Sequence, residues 1–497
     1  MIEFDKIPVE VTDAIEILQK AGFEAYIVGG CVRDLLRGAT PTDWDLATNA
    51  KPEEIQAIFP DNFFENKFGT VTVRQKSKKL TEENNNVLEI EITPYRIESK
   101  YTDKRHPDKV SWAESINQDL GRRDLTINAI AIGYSKPNNI VVIDPYGGQK
   151  DLKDKIIRAV GNPNERFMED ALRLMRAVRF SVTLGKNWVI EPATQQAIKN
   201  NAQWLKVISA ERIRDELLKI MMSPSAHEGI EKLRSLGLLD YIMPELAQCW
   251  GIGQNKHHIY DVYHHSLKAL EYADKKNFGI DVKLAVLLHD IGKPVVKRGE
   301  GPDSTFYNHE IVGANIAQKM LKRLKFPKKE IEHIVLLVRY HLFYYNVGEV
   351  GESAVRRLVR NVGIQNIEEL LQVRQADRIG SGCPKAEPYK LRHLRYLMEK
   401  TALDPISAKM LKINGSDIMK ILGIPPGPKV GKILDVLLGY VLDDPQQNRR
   451  EFLTEQTLAL GNLDEKELTK MANAAKNRKE QIETKRDEMT KAKYWVT

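Results

Sequence analysis

Ala25–Gly38 reads AYIVGGCVRDLLRG, and the order of residue types in it decides the architecture of the first part of the chain. Tyr26, Ile27 and Val28 form an apolar run with high strand propensity, a glycine pair ends it, and Val32, Leu35 and Leu36 then recur at helical spacing. A buried strand, a tight turn and a helix follow. Gly29 and Gly30 let backbone amides approach a phosphate at the helix N-terminus, where N–H groups lack intrahelical partners. Shortly afterwards Asp43 and Asp45 stand two residues apart, so on an extended chain both carboxylates point to one side. Like charges this close repel unless a cation lies between them, and a hard divalent ion with oxygen ligands, chiefly Mg2+, suits that position. A third carboxylate is expected from NVLEIEIT (Asn86–Thr93), with Glu91 the first choice and Glu89 the fallback. Such a set holds two metals roughly 3.5–4 Å apart, one activating a 3′-hydroxyl and one steadying departing pyrophosphate.

Outward from this stretch, the short β-rich runs GTVTVRQ, NVLEIEIT, AIAIGY and NIVVID alternate with helical stretches, which predicts an α/β or α+β domain over residues 1–150. From Asp151 the strands are expected to disappear. MEDALRLMRAVRF, SAERIRDELLKIMM and AHEGIEKLRSLGLL place apolar residues three and four apart, as packed helices do. Breaks at CWGIGQNKHH, GSGCPKAEP and PPGPKVG, together with a length of 497 residues, predict a multidomain chain divided as 1–150, 151–250, 251–400 and 401–497. A hydrophobic fraction of 42% with 29% charged residues describes a globular protein rather than a disordered or fibrous one. No apolar run reaches the roughly 18 residues of a membrane span, so a cytoplasmic location and no membrane partner are expected. Cys31, Cys249 and Cys383 are far apart, which suggests neither a disulfide framework nor a thiolate metal site. A net charge of +7 fits a polyanionic partner, and the charged final thirty residues read as a solvated helix.

The ordered set of Gly29-Gly30, Arg33-Asp34, Asp43-Trp44-Asp45 and Glu91 resembles the DNA polymerase β superfamily, and GGCVRDLLRG followed by TDWDLAT resembles its class II branch of tRNA nucleotidyltransferases and poly(A) polymerases. GRRDLTINAIAI (Gly121–Ile132) is similar to that family's second motif, which implies that Arg123, Asp124 and Asn128 contact the sugar and triphosphate alongside Gly29, Gly30 and Arg33. DPYGGQKDL (Asp144–Leu152) is similar to the hinge motif, ERFMEDALRLMRAVRF (Glu165–Phe180) to the nucleobase-reading motif, and SAERIRDEL (Ser209–Leu217) to the motif that closes the neck. The resemblance implies a polymerase β-like head followed by an all-α neck.

Asp170 and Arg173 fall three apart in a helical pattern, so the two side chains are expected side by side. A carboxylate only accepts hydrogen bonds and a guanidinium only donates them. Cytosine and adenine present an exocyclic amine beside a ring-nitrogen acceptor, whereas uracil and guanine present a carbonyl beside a ring N–H. The pair therefore matches C and A, and the resemblance makes Asp170 and Arg173 the template residues, with Arg176 a further nucleotide contact. Tyr95–Trp112 (YRIESKYTDKRHPDKVSW) is polar and lacks strand alternation, so a flexible loop is expected there. It resembles the loop of full CCA-adding members, including Tyr101, Asp103, Arg105, His106 and Pro107.

Further on stand His265, His289-Asp290, His309, His341 and Asp377. A His-Asp pair inside the very apolar LAVLLHDIGKP is costly unless a cation neutralises the carboxylate. Imidazole and carboxylate together suit a transition or borderline divalent metal, such as Mn2+, Ni2+ or Co2+, that activates water. The series resembles the HD phosphohydrolase superfamily, with His265, His289, Asp290 and Asp377 matching its four ligands and His309 and His341 the additional ligands of two-metal members. His264 competes for the first position. Lys293 is placed to steady a phosphate.

These resemblances imply template-independent addition of CCA to the tRNA 3′ end from CTP and ATP, a second hydrolytic activity on phosphomonoesters or 2′,3′-cyclic phosphates, and a helical tail that binds RNA. The expected partners are tRNA, ATP and CTP, with no obligate protein partner. The alternatives are an A-adding enzyme, a poly(A) polymerase, or a nucleotide-signalling enzyme that combines the same two domain types.

Overall fold

The computed structural model describes residues 6–64, 69–76, 87–99, 109–135, 139–255, 259–402 and 407–496. The chain divides into two compact units, residues 1–341 with 372–384, and residues 342–371 with 385–497.

The first unit begins with β1 (Ala25–Val28), β2 (Trp44–Thr48), β3 (Asn62–Phe64), β4 (Val71–Lys76) and β5 (Val87–Pro94), continues through β6 (Arg96–Ser99) and β7 (Lys109–Trp112), and completes its sheet with β8 (Ala131–Ser135) and β9 (Asn139–Ile143). Seven of these strands form one sheet in the order β3-β4-β5-β2-β1-β8-β9. Its neighbours pair antiparallel except β2 and β5, which run parallel. Alternation explains the faces of β5: Ile90 and Ile92 are fully buried, whereas Val87, Glu89 and Glu91 point to the other, exposed side. The helix Val9–Lys20 buries Val11, Ala14, Ile15 and Leu18 along one stripe.

Two expectations are corrected. The Tyr95–Trp112 stretch is not strandless, because β6 and β7 pair antiparallel from Arg96 opposite Trp112 to Ser99 opposite Lys109. Four-residue strands are too short to display the alternation by which sequence reading finds them. Strands also recur after residue 151, where Ile156–Ile157 pairs parallel with Val189–Ile190.

Helices then take over. The helix Ala210–Met221 buries Ile213, Leu217, Ile220 and Met221, and the helices Val262–Lys275 and Ile280–Leu288 follow, the latter buried from Val282 to Leu288 because it is apolar all round. A buried ion pair ties these helices together. Lys283 Nζ lies 2.8 Å from Asp274 Oδ1 and donates to the carbonyls of Met221 and Ser223, at the C-terminal end of Ala210–Met221. Asp274 also accepts from the His227 backbone N–H at 3.0 Å. A cation is favoured where helix carbonyls are left without intrahelical partners.

In the second unit, Ile418, Ile433, Leu437 and Leu453 form a buried cluster that Leu468 and Ala472 of the 29-residue helix Glu465–Lys493 complete. Only Leu468, Ala472 and Thr490 of that helix are buried, in keeping with its charged composition.

Removing the Lys283 ammonium leaves Asp274 charged and enclosed, so Lys283→Ala should destabilise the first unit by about 3–5 kcal/mol, and Lys283→Met combined with Asp274→Asn should restore most of it. Calorimetric unfolding of the three proteins measures this; equal midpoints for Lys283→Ala and the native chain would refute the coupling.

Candidate active site and metal centre

The glycine turn takes the form its sequence requires. Gly29 has φ 82°, a conformation that disfavours any side chain, and a Cβ there would lie 2.9 Å from Asp45 Oδ2 and 3.3 Å from an Arg123 guanidinium nitrogen. The turn therefore presses backbone against a carboxylate and a cation. Asp45 stands opposite Val28 across one edge of β2 and opposite Glu91 across the other. Register, more than chain proximity, brings the third acid to the first two: Glu91 shares the row of Asp45, whereas Glu89 is one pleat further and ion-paired to Arg74 at 3.0 Å. Asp43 precedes β2 and is exposed. Burial raises the Asp45 pKa above the usual carboxylate range, Arg123 opposes that rise and Asp43 adds to it. Acids so arranged suit a divalent cation.

Beside these acids, Arg33 donates to Asn128 Oδ1 at 3.0 Å, and Asn128 donates to Asp124 Oδ1 at 3.2 Å. Arg176 donates to Asp124 Oδ2 at 2.6 Å, reaching from the helix Leu172–Thr183 into the sheet-bearing part of the unit. Burial works against the charge of Asp124, yet Arg176 and Arg173 hold its carboxyl well below the usual range. The guanidinium groups of Arg33, Arg176 and Arg179 gather on the Phe180 ring, with centroid distances of 5.0, 5.6 and 4.1 Å. Gly29, Asp45, Arg123, Asp124, Asn128, Arg33, Arg176 and Arg173 thus form one connected group.

Asp170 and Arg173 join that group in a different arrangement from the one expected. Asp170 is not within a helix: it is extended (φ −139°, ψ 108°) between Pro163–Glu169 and Leu172–Thr183, and accepts from the Leu172 N–H at 3.0 Å. The two side chains take separate partners. Arg212 donates to Asp170 Oδ2 at 2.7 Å, and Arg173 donates to Glu169 Oε2 at 2.7 Å, an oxygen it shares with Arg166. Asp, a strong N-cap residue, interrupts the pattern that apolar spacing alone reads as continuous. Sequence reading missed Arg212 and Glu169 as members of this site; Arg212 lies 42 positions from Asp170, and no local pattern links them. Tyr101, Asp103, Arg105, His106 and Pro107 lie outside the described residues.

The second site assembles from five segments. His265 Nε2 and His289 Nε2 are 2.9 Å apart, and Asp290 Oδ2 and Asp377 Oδ1 lie 3.2 and 3.3 Å from His265 Nε2. On its other oxygen, Asp290 faces His309 Nε2 at 3.3 Å and His341 Nε2 at 3.8 Å. Asp290 is thus common to two buried triads, with His265 and His289 and with His309 and His341. His289, His309 and His341 each bond through Nδ1 to the carbonyl three residues earlier, Val286, Phe306 and Val338. With Nδ1 donating, Nε2 keeps its lone pair for a metal. His264 instead bonds Asp261 at 2.8 Å and stays half-exposed. Lys293 Nζ lies 2.6 Å from Asp290 Oδ2. Burial disfavours a charged His289, yet Asp290 and Asp377 lift its pKa to about 10, while burial and then His289 push His341 down to about 3. The donor set suits a divalent metal, which would replace a proton on His289.

Comparison with known proteins gives a consistent match. Family profiles match in chain order: the poly(A) polymerase head domain over residues 25–158, the probable RNA and SrmB-binding site of polymerase A over 188–249, and the HD domain over 262–381. The CCA-adding enzyme of Ligilactobacillus salivarius (strain UCC118) is 34% identical over 473 residues, 91% of this chain and 99% of that protein. The A-adding tRNA nucleotidyltransferase of Deinococcus radiodurans is 33% identical, over 83% of this chain and 90% of its own. Among solved structures, the Bacillus stearothermophilus CCA-adding enzyme in complex with CTP aligns at a TM-score of 0.53 and 28% identity, covering 91% of this chain and 96% of that one. Among the described residues, no helix is long and apolar enough to cross a membrane.

Metal taken up at the histidine cluster must displace the proton held by His289, so affinity for Mn2+ or Co2+ should rise with pH towards about 10. Equilibrium dialysis of metal-stripped protein at a series of pH values measures this. Asp290→Ala should abolish uptake there and His264→Ala should leave it unchanged; the reverse would disprove the ligand set.

Proposed function

This chain belongs to the family of CCA-adding enzymes, tRNA nucleotidyltransferases with an attached HD domain, and on that footing we propose that it adds C, C and A in turn to the tRNA 3′ end, using CTP and ATP. The observation that carries the reading is the register of Asp45 opposite Glu91, with Asp45 against the Gly29 turn and Arg123. The relative with CTP bound supports the choice of nucleotide.

Asp43, Asp45 and Glu91 would hold Mg2+, which when bound supplies Lewis-acid activation of the 3′-hydroxyl and neutralises charge on the triphosphate. The amides after Gly29 and the cations Arg33 and Arg123 receive phosphate oxygens. Asn128, itself bonded to Asp124, holds Arg33, Asp119 holds Arg123, and Asp124 and Asn128 present the sugar-binding edge. Asp170 and Arg173 read the base, the carboxylate accepting from the exocyclic amine and the guanidinium donating to the ring nitrogen shared by C and A. Asp170 pairs with Arg212 and Arg173 with Glu169, so a correct base must replace those bonds, whereas U or G leaves like groups facing one another. We assign residues 1–150 to the head, 151–250 to the neck, 251–400 to the HD domain and 401–497 to the tail.

At the histidine cluster, a divalent transition metal on His265, His289, Asp290, Asp377, His309 and His341 would activate water for hydrolysis of a terminal or cyclic phosphate on RNA. Lys293 is placed to receive a phosphate oxygen.

Three tRNA transcripts, ending before CCA, after C and after CC, each offered one labelled nucleoside triphosphate, should take C, C and A respectively, and Asp43→Ala should lose all three additions while retaining tRNA binding. Incorporation only into the transcript ending in CC would make this an A-adding enzyme. His289→Ala combined with Asp290→Ala should erase release of phosphate from RNA ending in a 3′- or 2′,3′-cyclic phosphate, with CCA addition intact; loss of both activities would argue for one merged site.

A further inference from the structure

On the far end of the helix Gly30–Leu36 from the glycine turn lies a cavity of about 540 Å³ lined by Arg37, Lys153, Lys155, Lys186, Trp188 and Gln149 together with leucines and Gly185. Its charged lining is entirely cationic. Arg37 is held in place, stacked on Trp188 at 5.8 Å and bonded to the Leu184 carbonyl and, at 3.4 Å, to Asp34. Lys153 and Lys186 are exposed. Lys155 has φ 57°, a left-handed conformation unfavourable to a lysine, and Lys186 sits at the tip of a turn between Gly185 (φ 113°) and Asn187 (φ 68°). Two independent turns thus hold ammonium groups towards one cavity, and Lys155 braces the other turn through the Lys186 carbonyl at 3.3 Å.

We infer that this cavity binds the sugar-phosphate backbone of the RNA whose end is extended, a reading that rests on the proposed nucleotidyl transfer to RNA. Seven residues of helix at 1.5 Å each put it about 10 Å from the glycine turn, within reach of nucleotides preceding the growing end. Trp188 is 5% exposed and offers no stacking face. That favours phosphate contacts along a strand over a captured free nucleotide, because such contacts position RNA without reading its sequence.

The test measures binding of a tRNA transcript lacking CCA by fluorescence anisotropy over a salt series, without turnover. Lys153→Gln combined with Lys186→Gln should weaken binding about tenfold and lower the log–log salt slope by about 1.5–2, because two phosphates are then no longer neutralised. KM for CTP should not change. Lys155→Asn, which suits the left-handed backbone, should also weaken binding while keeping or raising Tm, separating removal of the ammonium from unfolding. Unchanged affinity and slope in the double variant would overturn the inference. Should the native chain bind tRNA through these lysines yet add no nucleotide, the proposed function fails and the phosphate site stands.

Discussion

The bond between Arg176 and Asp124, at 2.6 Å, joins the helix Leu172–Thr183 to the sheet-bearing part of the unit, which carries Asp45 and Glu91. Asp124 is held ionised in a buried place because that guanidinium, with Arg173, outweighs the cost of desolvation. Through Asn128 and Arg33 the same carboxylate anchors the approach to the Gly29 turn. Two segments far apart in the chain are thus referenced to one charged group, which fixes the helix Leu172–Thr183 relative to the helix that follows the Gly29 turn. Positional tolerance in such chemistry is small, since misplacement by about 1 Å costs on the order of a hundredfold in rate.

Both candidate centres solve one electrostatic problem in different materials. In the head, Asp45 and Glu91 share one row on neighbouring strands, and oxygen ligands of this kind suit magnesium. In the helical region, imidazoles and two carboxylates converge from helix ends and interiors, each of three rings fixed by its own backbone carbonyl. Asp290 serves both halves of that cluster with its two oxygens. The histidine cluster is buried and its charges face one another, which separates it from ordinary surface ion pairs worth little in stability.

Much of this was legible in the sequence because the signals were local. The strand, glycine turn and helix around Gly29, the paired Asp43 and Asp45, and the His289-Asp290 step each declare themselves within a few residues. The five sheet strands recognised from apolar runs, β1, β4, β5, β8 and β9, are present, and the helical series after residue 151 is interrupted by only one short parallel pair among the described residues. What escaped was non-local. Arg212 finds Asp170, and Glu169 takes Arg173, through packing of helices whose apolar periodicity says nothing about polar partners. The strands β6 and β7 are too brief for alternation to mark them, and Asp170, extended and bonded to the Leu172 N–H, separates two helices, a competition that propensity does not rank.

The parallel pairing of β2 with β5 has a consequence for how this chain can vary. Glu91 meets Asp45 only because side chains alternate with a period of two, so losing one residue between Val87 and Glu91 would turn an isoleucine towards the face that carries Asp45. Residues inserted between β4 and β5 would leave the row in which Glu91 sits unmoved, since its register is set by the hydrogen-bonded ladders on either side. Natural drift in length should therefore accumulate between these strands and spare β5 itself, leaving Asp45 and Glu91 aligned.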